Sequence, residues 1–75
     1  MRLAELPLGR PARVVDVEAT HDVVHRLMEM GLTRGAEVVV RKIAPLGDPI
    51  EIEVRRGRLS IRRVEAASIL VDGGS

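Results

Sequence analysis

The alternation of apolar and charged residues between positions 50 and 55 constrains the fold more than any other feature of the sequence. The apolar members are Ile50, Ile52 and Val54, and the charged members between them are Glu51, Glu53 and Arg55. Successive side chains of a β-strand point to opposite faces of the sheet. The pattern therefore predicts a strand with one buried face and one face in water.

Four other segments have the composition of short strands. Ala12 to Val17 and Ala36 to Ala44 are rich in valine, and Ile69 to Val71 is a last apolar run. After a turn at Gly57, the alternation resumes with Leu59 and Ile61 on the inward side, which predicts another strand. The alternation of the second segment is interrupted at Arg41-Lys42, and this interruption predicts a bend or a β-bulge.

One helix is predicted between the first two strands, from His21 to Met30. Thr20 is expected to cap its first turn, and Gly31 is expected to end it in a left-handed conformation. Val23, Val24, Leu27 and Met30 fall on one face of this helix, and Met28 lies at the border of that face. A single further helical turn is predicted from Val64 to Ser68.

These elements predict a mainly β fold, a small SH3-like barrel of about five antiparallel strands with one short α-helix. With 75 residues, the chain is expected to form a single domain over 1–75, with an ordered core of about 3–71. Closure of the barrel is expected to remove exposed strand edges. The chain has no cysteine, so disulfides cannot supplement the core.

Composition argues against binding of nucleic acid. The sequence has no Phe, Trp or Tyr, and these are the side chains on which unpaired bases usually stack. The formal net charge is only +1. Basic residues do cluster late in the chain, and we interpret this cluster as a solvated strand face. Its members are Arg55, Arg56, Arg58, Arg62 and Arg63.

The sequence also lacks the patterns expected of an enzyme or a membrane protein. None of its hydroxyl side chains is placed beside a histidine except Thr20, which the helix cap explains, and no glycine-rich phosphate loop leads into the helix. No secretory leader and no continuous apolar run long enough to cross a bilayer is present. We therefore expect a non-enzymatic cytoplasmic protein without membrane insertion.

Three ordered motifs resemble the FeoA family (ferrous iron transport protein A). They are Arg26 to Leu32, Ala44 to Ile50, and Leu59 to Arg62 followed by Glu65-Ala66. Family members commonly have proline where this chain has Arg34, so the turn before Gly35 is expected to differ in stiffness. The resemblance implies an SH3-like barrel that supports ferrous iron uptake by binding the cytoplasmic part of FeoB, a membrane transporter with a GTP-binding domain.

Two other functions are compatible with the sequence. One is a regulatory domain like the SH3-like domain of iron-dependent repressors, although no helix-turn-helix precedes the barrel in these 75 residues. The other is a small metal-binding carrier that uses His21 and His25, which are four residues apart on the predicted helix. A third ligand is not placed by the spacing, so we expect no metal site, no cofactor, and only adventitious zinc at these histidines.

The predicted partner contacts are Met28 and the proline-rich loop. Met28 is a flexible apolar side chain at the border of the helix face. Pro45 and Pro49 bracket a rigid loop with Leu46 at its tip, and such a loop can serve either folding or recognition. Asp48 is expected to hydrogen-bond its own backbone in this turn. We expect a monomer or a weak homo-oligomer.

Overall fold

The computed structural model describes residues 1–55 and 57–72. In this part of the chain, five strands, two α-helices and one 3₁₀ turn (Leu3–Glu5) follow one another. The strands are β1 (Ala12–Val17), β2 (Glu37–Ile43), β3 (Ile50–Val54), β4 (Gly57–Ile61) and β5 (Ile69–Val71). The helices are α1 (His21–Glu29) and α2 (Arg63–Ala66).

All strand pairs are antiparallel, and the strands are ordered β4-β3-β2-β1-β5 in one sheet. The predicted SH3-like class of five strands and a short helix is therefore confirmed. The expected removal of edges is not complete, because no pairing joins β4 to β5 in the described residues. These two strands remain the edges of the sheet.

Two irregularities bend the sheet into its curved form. The register of β2 against β3 shifts between Val40 and Lys42, as the interrupted alternation at Arg41-Lys42 predicts. A second shift, between Val14 and Asp16, lies where β1 pairs with β5. The first residues of β1 pair with β2, and the later residues of β1 pair with β5. The second bulge thus allows β1 to form hydrogen bonds with both neighbouring strands.

The inward-facing residues of the strands pack into one hydrophobic core. The inward positions of β3 and β4 are occupied as the alternation predicts, with Ile50, Ile52, Val54 and Ile61 buried. Ile52 has no exposed surface. The 3₁₀ turn adds Leu3 and, just after it, Leu6 to the core.

Helix α1 ends as predicted. Gly31 has a φ of 101°, a conformation that side chains with a Cβ rarely adopt. The backbone N–H of Leu32 donates to the carbonyl of Leu27 at 3.1 Å, and Gly31 N–H donates to Met28 at 3.0 Å. This pair of bonds is a Schellman cap, and it turns Leu32 into the core.

The start of α1 differs in one respect from the prediction. Thr20 occupies the N-cap position, and its carbonyl accepts from Val24 N–H at 2.9 Å, but its hydroxyl makes no capping hydrogen bond. Neither α1 nor α2 is long and apolar enough to cross a bilayer, and the same holds for every helix of the described residues.

Candidate partner-binding surface

The loop between β2 and β3 presents an apolar tip. Leu46 is 96% exposed, the largest exposed fraction among the large hydrophobic residues, and both Pro45 and Pro49 are also exposed. The loop closes through two backbone hydrogen bonds, from Gly47 N–H to Ala44 at 2.7 Å and from Ala44 N–H to Pro49 at 3.1 Å. Leu46 therefore projects from a closed, hydrogen-bonded turn.

The loop is also fixed to α2. The backbone N–H of Arg63 donates to Asp48 Oδ1 at 3.0 Å, which satisfies a donor in the first turn of that helix. The expectation that Asp48 bonds its own backbone is wrong, because its recorded hydrogen bond goes to α2 instead. Gly47 has a φ of 87°, and a Cβ added there would lie 3.2 Å from Arg63 Nη1. The positive φ favours glycine here, and the missing Cβ leaves room for the end of the Arg63 side chain.

Val64 is a second exposed apolar residue at this end of the molecule, and the sequence pattern predicts it only as part of a helical turn. It is 69% exposed and follows Arg63, the residue that contacts the loop. Val64 also lines a groove of about 460 Å³ between α1 and α2. The other lining residues are Ala19, Thr20, Val23, Arg26, Arg62, Glu65 and Ser68. The sequence carries no local signal for the exposure of Val64, because a helix of four residues is too short to show which of its apolar residues is buried.

An ion pair between Arg26 and Glu65 joins the two walls of the groove. Glu65 uses its other carboxylate oxygen to accept the backbone N–H of Arg62 at 2.8 Å, which caps α2. The Glu65 side chain is only 13% exposed, whereas that of Arg26 is 51% exposed. Two of the sequence motifs thus meet here, since Arg26 begins the first and Glu65 belongs to the third.

Met28 lies elsewhere on the molecule. Its side chain is partly exposed, as predicted, with an exposed fraction of 47%. It lines a separate cleft of about 310 Å³ beside Arg55, which follows the end of β3. The Leu46 loop precedes the start of β3, and a strand of that length spans about 13 Å. Met28 and the loop are therefore at opposite ends of β3 and do not form one continuous patch.

His21 and His25 lie side by side on the exposed surface of α1. Their ring centroids are 6.3 Å apart, and His25 Nδ1 lies 3.8 Å from Glu29 Oε2. Within residues 1–55 and 57–72, no group of three or more His, Cys, Asp or Glu side chains is arranged to hold a metal ion. The pair can supply two imidazole ligands, fewer than a closed tetrahedral zinc site needs.

The late arginines are spread over several environments. Arg58 Nη1 lies 3.0 Å from Glu51 Oε2 across the outer face of β3 and β4. Arg62 lines the α1–α2 groove, Arg63 lies against the loop, and Arg55 borders the Met28 cleft. Arg56 is outside the described residues.

Arg34, where the sequence departs from the FeoA pattern, ties the turn before β2 to β1. Arg34 Nη2 donates to Asp16 Oδ1 at 3.1 Å. The backbone N–H of Val17 donates to the same oxygen at 2.9 Å. The Val17 hydrogen bond first, and then the Arg34 guanidinium, lower the pKa of Asp16 below its ordinary value of 3.8.

Comparison with known proteins decides the family. The model of the FeoA domain matches residues 1–73. The chain belongs to the FeoA family. A FeoA–FeoB fusion protein of Porphyromonas gingivalis, described as an Fe(2+) transport protein A joined to the Fe(2+) transporter FeoB, is 39% identical to it over 72 residues. That match covers 96% of this chain but only 8% of the fusion protein.

Solved FeoA structures have the same fold. The FeoA protein of Chlorobium tepidum is 48% identical, with a TM-score of 0.88 over 95% of this chain and 68% of that one. FeoA of Stenotrophomonas maltophilia, described as an SH3 domain protein and complexed with zinc, is 35% identical. Its TM-score is 0.86 over 100% of this chain and 93% of that one.

A manganese-dependent transcriptional repressor also resembles the FeoA chain in structure. Its TM-score is 0.85 over 95% of this chain and 35% of the repressor, at 15% identity. At that identity the likeness establishes a shared fold and nothing about regulation.

Proposed function

We propose that this FeoA protein is a non-enzymatic accessory of bacterial ferrous iron uptake that acts in the cytoplasm by binding the cytoplasmic part of a FeoB-type transporter. Family membership supports the link to ferrous iron transport. The P. gingivalis relative supports the partner, because a FeoA segment and FeoB are fused there in one polypeptide. A covalent link raises the effective concentration of one domain near the other, and such a link is useful when the two domains bind each other.

The observation on which the proposal rests is the 96% exposure of Leu46 on an anchored loop. Full burial of a leucine side chain contributes about 1.5–3 kcal/mol relative to leaving it in water. Since the loop is already fixed by Asp48 and Gly47, little conformational freedom remains to be lost when the partner binds. Leu46 is thus suited to be an anchor in a small interface.

Neighbouring residues extend this contact. Pro45 and Pro49 shape the loop, and Val64 adds apolar surface at the mouth of the α1–α2 groove. Met28 forms a separate contact at the other end of β3. The exposed arginines tune the rate of encounter and its salt dependence more than the final affinity. The domain needs no cofactor, and zinc at His21 and His25 is adventitious.

Co-purification from native membranes tests the proposal. Tagged protein is expected to retain a FeoB-type transporter, identified by mass spectrometry, and the Leu46→Glu variant is expected to lose it. Leu8→Glu is the matched control, because Leu8 is also an exposed leucine, at 61%, in a different turn. Retention of the transporter by Leu46→Glu, or its equal loss with Leu8→Glu, contradicts the assigned contact.

A further inference from the structure

The two edges of the sheet differ in how much backbone they leave unpaired. The outer side of β5 is partly covered, because Arg2 pairs with Leu70 and Val71 N–H donates to the Met1 carbonyl at 2.8 Å. β4 lies at the other end of the sheet, and β3 is the element with which it has extensive contacts. Within the described residues, no backbone hydrogen bond joins Gly57–Ile61 to any segment other than β3.

The outer edge of β4 can therefore accept another strand. Along an antiparallel edge strand, alternate N–H and C=O groups point away from the sheet. An extended peptide that satisfies these groups adds one strand to the sheet, which is a common mode of peptide recognition. Backbone bonds would supply affinity here, and the side chains of β4 would determine which sequence fits.

The side chains along this edge have a definite pattern. Arg58, Ser60 and Arg62 alternate on the exposed side of the chain. Leu59 and Ile61 point to the other side, where Ile61 is buried and Leu59 is only half-buried. An added strand would place its own alternate residues opposite these two rows. Carboxylates suit the arginine row, and apolar side chains suit the row that contains Leu59.

We propose that the open edge of β4 binds an extended segment of another protein in which acidic and apolar residues alternate. The contact is made by the strand edge and not by Leu46, although Arg62 directly precedes Arg63, which holds the β2–β3 loop. Arg58 already has a partial counter-charge in Glu51, with a separation of 3.0 Å. No ion pair of the Arg62 side chain is recorded in the described part of the chain, so Arg62 offers the stronger attraction.

The charges of β4 disfavour a second copy of the same chain as the occupant. In a symmetric antiparallel pair centred on Ser60, Arg58 of each copy would lie opposite Arg62 of the other. Like charges directly opposite each other destabilise a strand pair. An acidic segment replaces both repulsions with attractions.

Titration of the full-length ¹⁵N-labelled protein with an eight-residue peptide of alternating glutamate and valine tests the proposal. Chemical shift changes and slowed amide exchange are expected for residues 57–62. A peptide of the same length that alternates lysine and valine is expected not to bind. The Arg62→Glu variant should bind the glutamate peptide about three- to tenfold more weakly, since one attractive pair becomes repulsive.

Two control variants make the result specific. Arg10→Glu introduces the same charge change at an exposed turn residue away from β4 and should bind the glutamate peptide like the wild type. Leu46→Glu should also bind it normally, which separates this site from the transporter contact. The proposal is overturned by equal binding of the lysine peptide, by shifts centred outside β4, by dimerisation through β4, or by no binding at all.

Discussion

The backbone N–H of Arg63 donates a hydrogen bond to Asp48 Oδ1 at 3.0 Å, across fifteen residues of sequence. This bond joins the exposed β2–β3 loop to the first turn of α2. The same carboxylate therefore serves two purposes, since it caps a helix and holds the segment on which Leu46 is displayed.

Replacement of Asp48 by alanine should lower the free energy of unfolding by about 1 kcal/mol, the usual effect of losing a side chain that caps a helix. The loop should also become more mobile, so affinity for the transporter should fall. Chemical denaturation and amide exchange of the loop measure these effects. Asp48→Asn keeps an acceptor oxygen and should stay close to the wild type. Equal losses in both variants would mean that the negative charge matters and the hydrogen bond does not.

The second prediction concerns the stability contributed by the buried face of β3. Ile52 is fully buried in β3, so Ile52→Ala should lower the free energy of unfolding by about 2–5 kcal/mol. Ile43 is the matched control, because it is an isoleucine of β2 with 45% of its surface exposed. Ile43→Ala should have a clearly smaller effect in the same denaturation experiment. Similar effects at both positions would show that the inward face is misassigned.

Much of the fold is predictable because the sequence alternates with the period of a strand. The period alone places Ile50, Ile52 and Val54 in the core, and the interrupted alternation marks the β2 bulge. The 3₁₀ turn at Leu3–Glu5 is too short to show a periodic pattern. The bulge in β1 depends on the pairing of β1 with both β2 and β5, which are distant in sequence. Neither could be predicted from local pattern.

The candidate surface was predictable only in part. Proline and glycine identify the Leu46 loop, because their backbone preferences are local. The attachment of Asp48 to Arg63 and the exposure of Val64 depend on how distant segments pack together. The separation of Met28 from the loop has the same origin, since it follows from the path of β3 between them.

The third prediction concerns pH. Because the folded pKa of Asp16 lies below its ordinary value of 3.8, the ionised carboxylate favours the folded state. Its contribution is complete above pH 3.8 and is lost as the pH falls through the lower, folded pKa. Asp16→Asn should therefore be less stable than the wild type at neutral pH, and the difference should shrink in acid.

The control for this measurement is Glu37→Gln, which changes an exposed carboxylate of β2 for which no ion pair is recorded in the described residues. Urea denaturation of the three proteins at a series of pH values compares them. A difference between Asp16→Asn and the wild type that grows in acid would contradict the direction of the pKa shift.

The fourth prediction is that the purified protein binds Fe²⁺ weakly. His21 and His25 provide two ligands, and the described residues form no larger cluster of metal-binding side chains. Zinc bound to these histidines in a crystal should be completed by ligands from a neighbouring molecule. Anaerobic calorimetry measures the affinity for Fe²⁺. A dissociation constant below about 1 μM that is lost in His21→Ala would favour the carrier function instead.

Ferrous iron uptake in a strain that lacks the native gene tests the central claim most directly. Leu46→Glu should keep the thermal stability of the wild type, because a loop tip with 96% exposure leaves a carboxylate in water. It should nevertheless fail to restore uptake, since the charge enters a contact that must lose its water. Leu8→Glu should restore uptake. Normal uptake with a stably folded Leu46→Glu protein, especially if Arg58→Glu abolishes uptake, would contradict the account and move the transporter interface to the basic face.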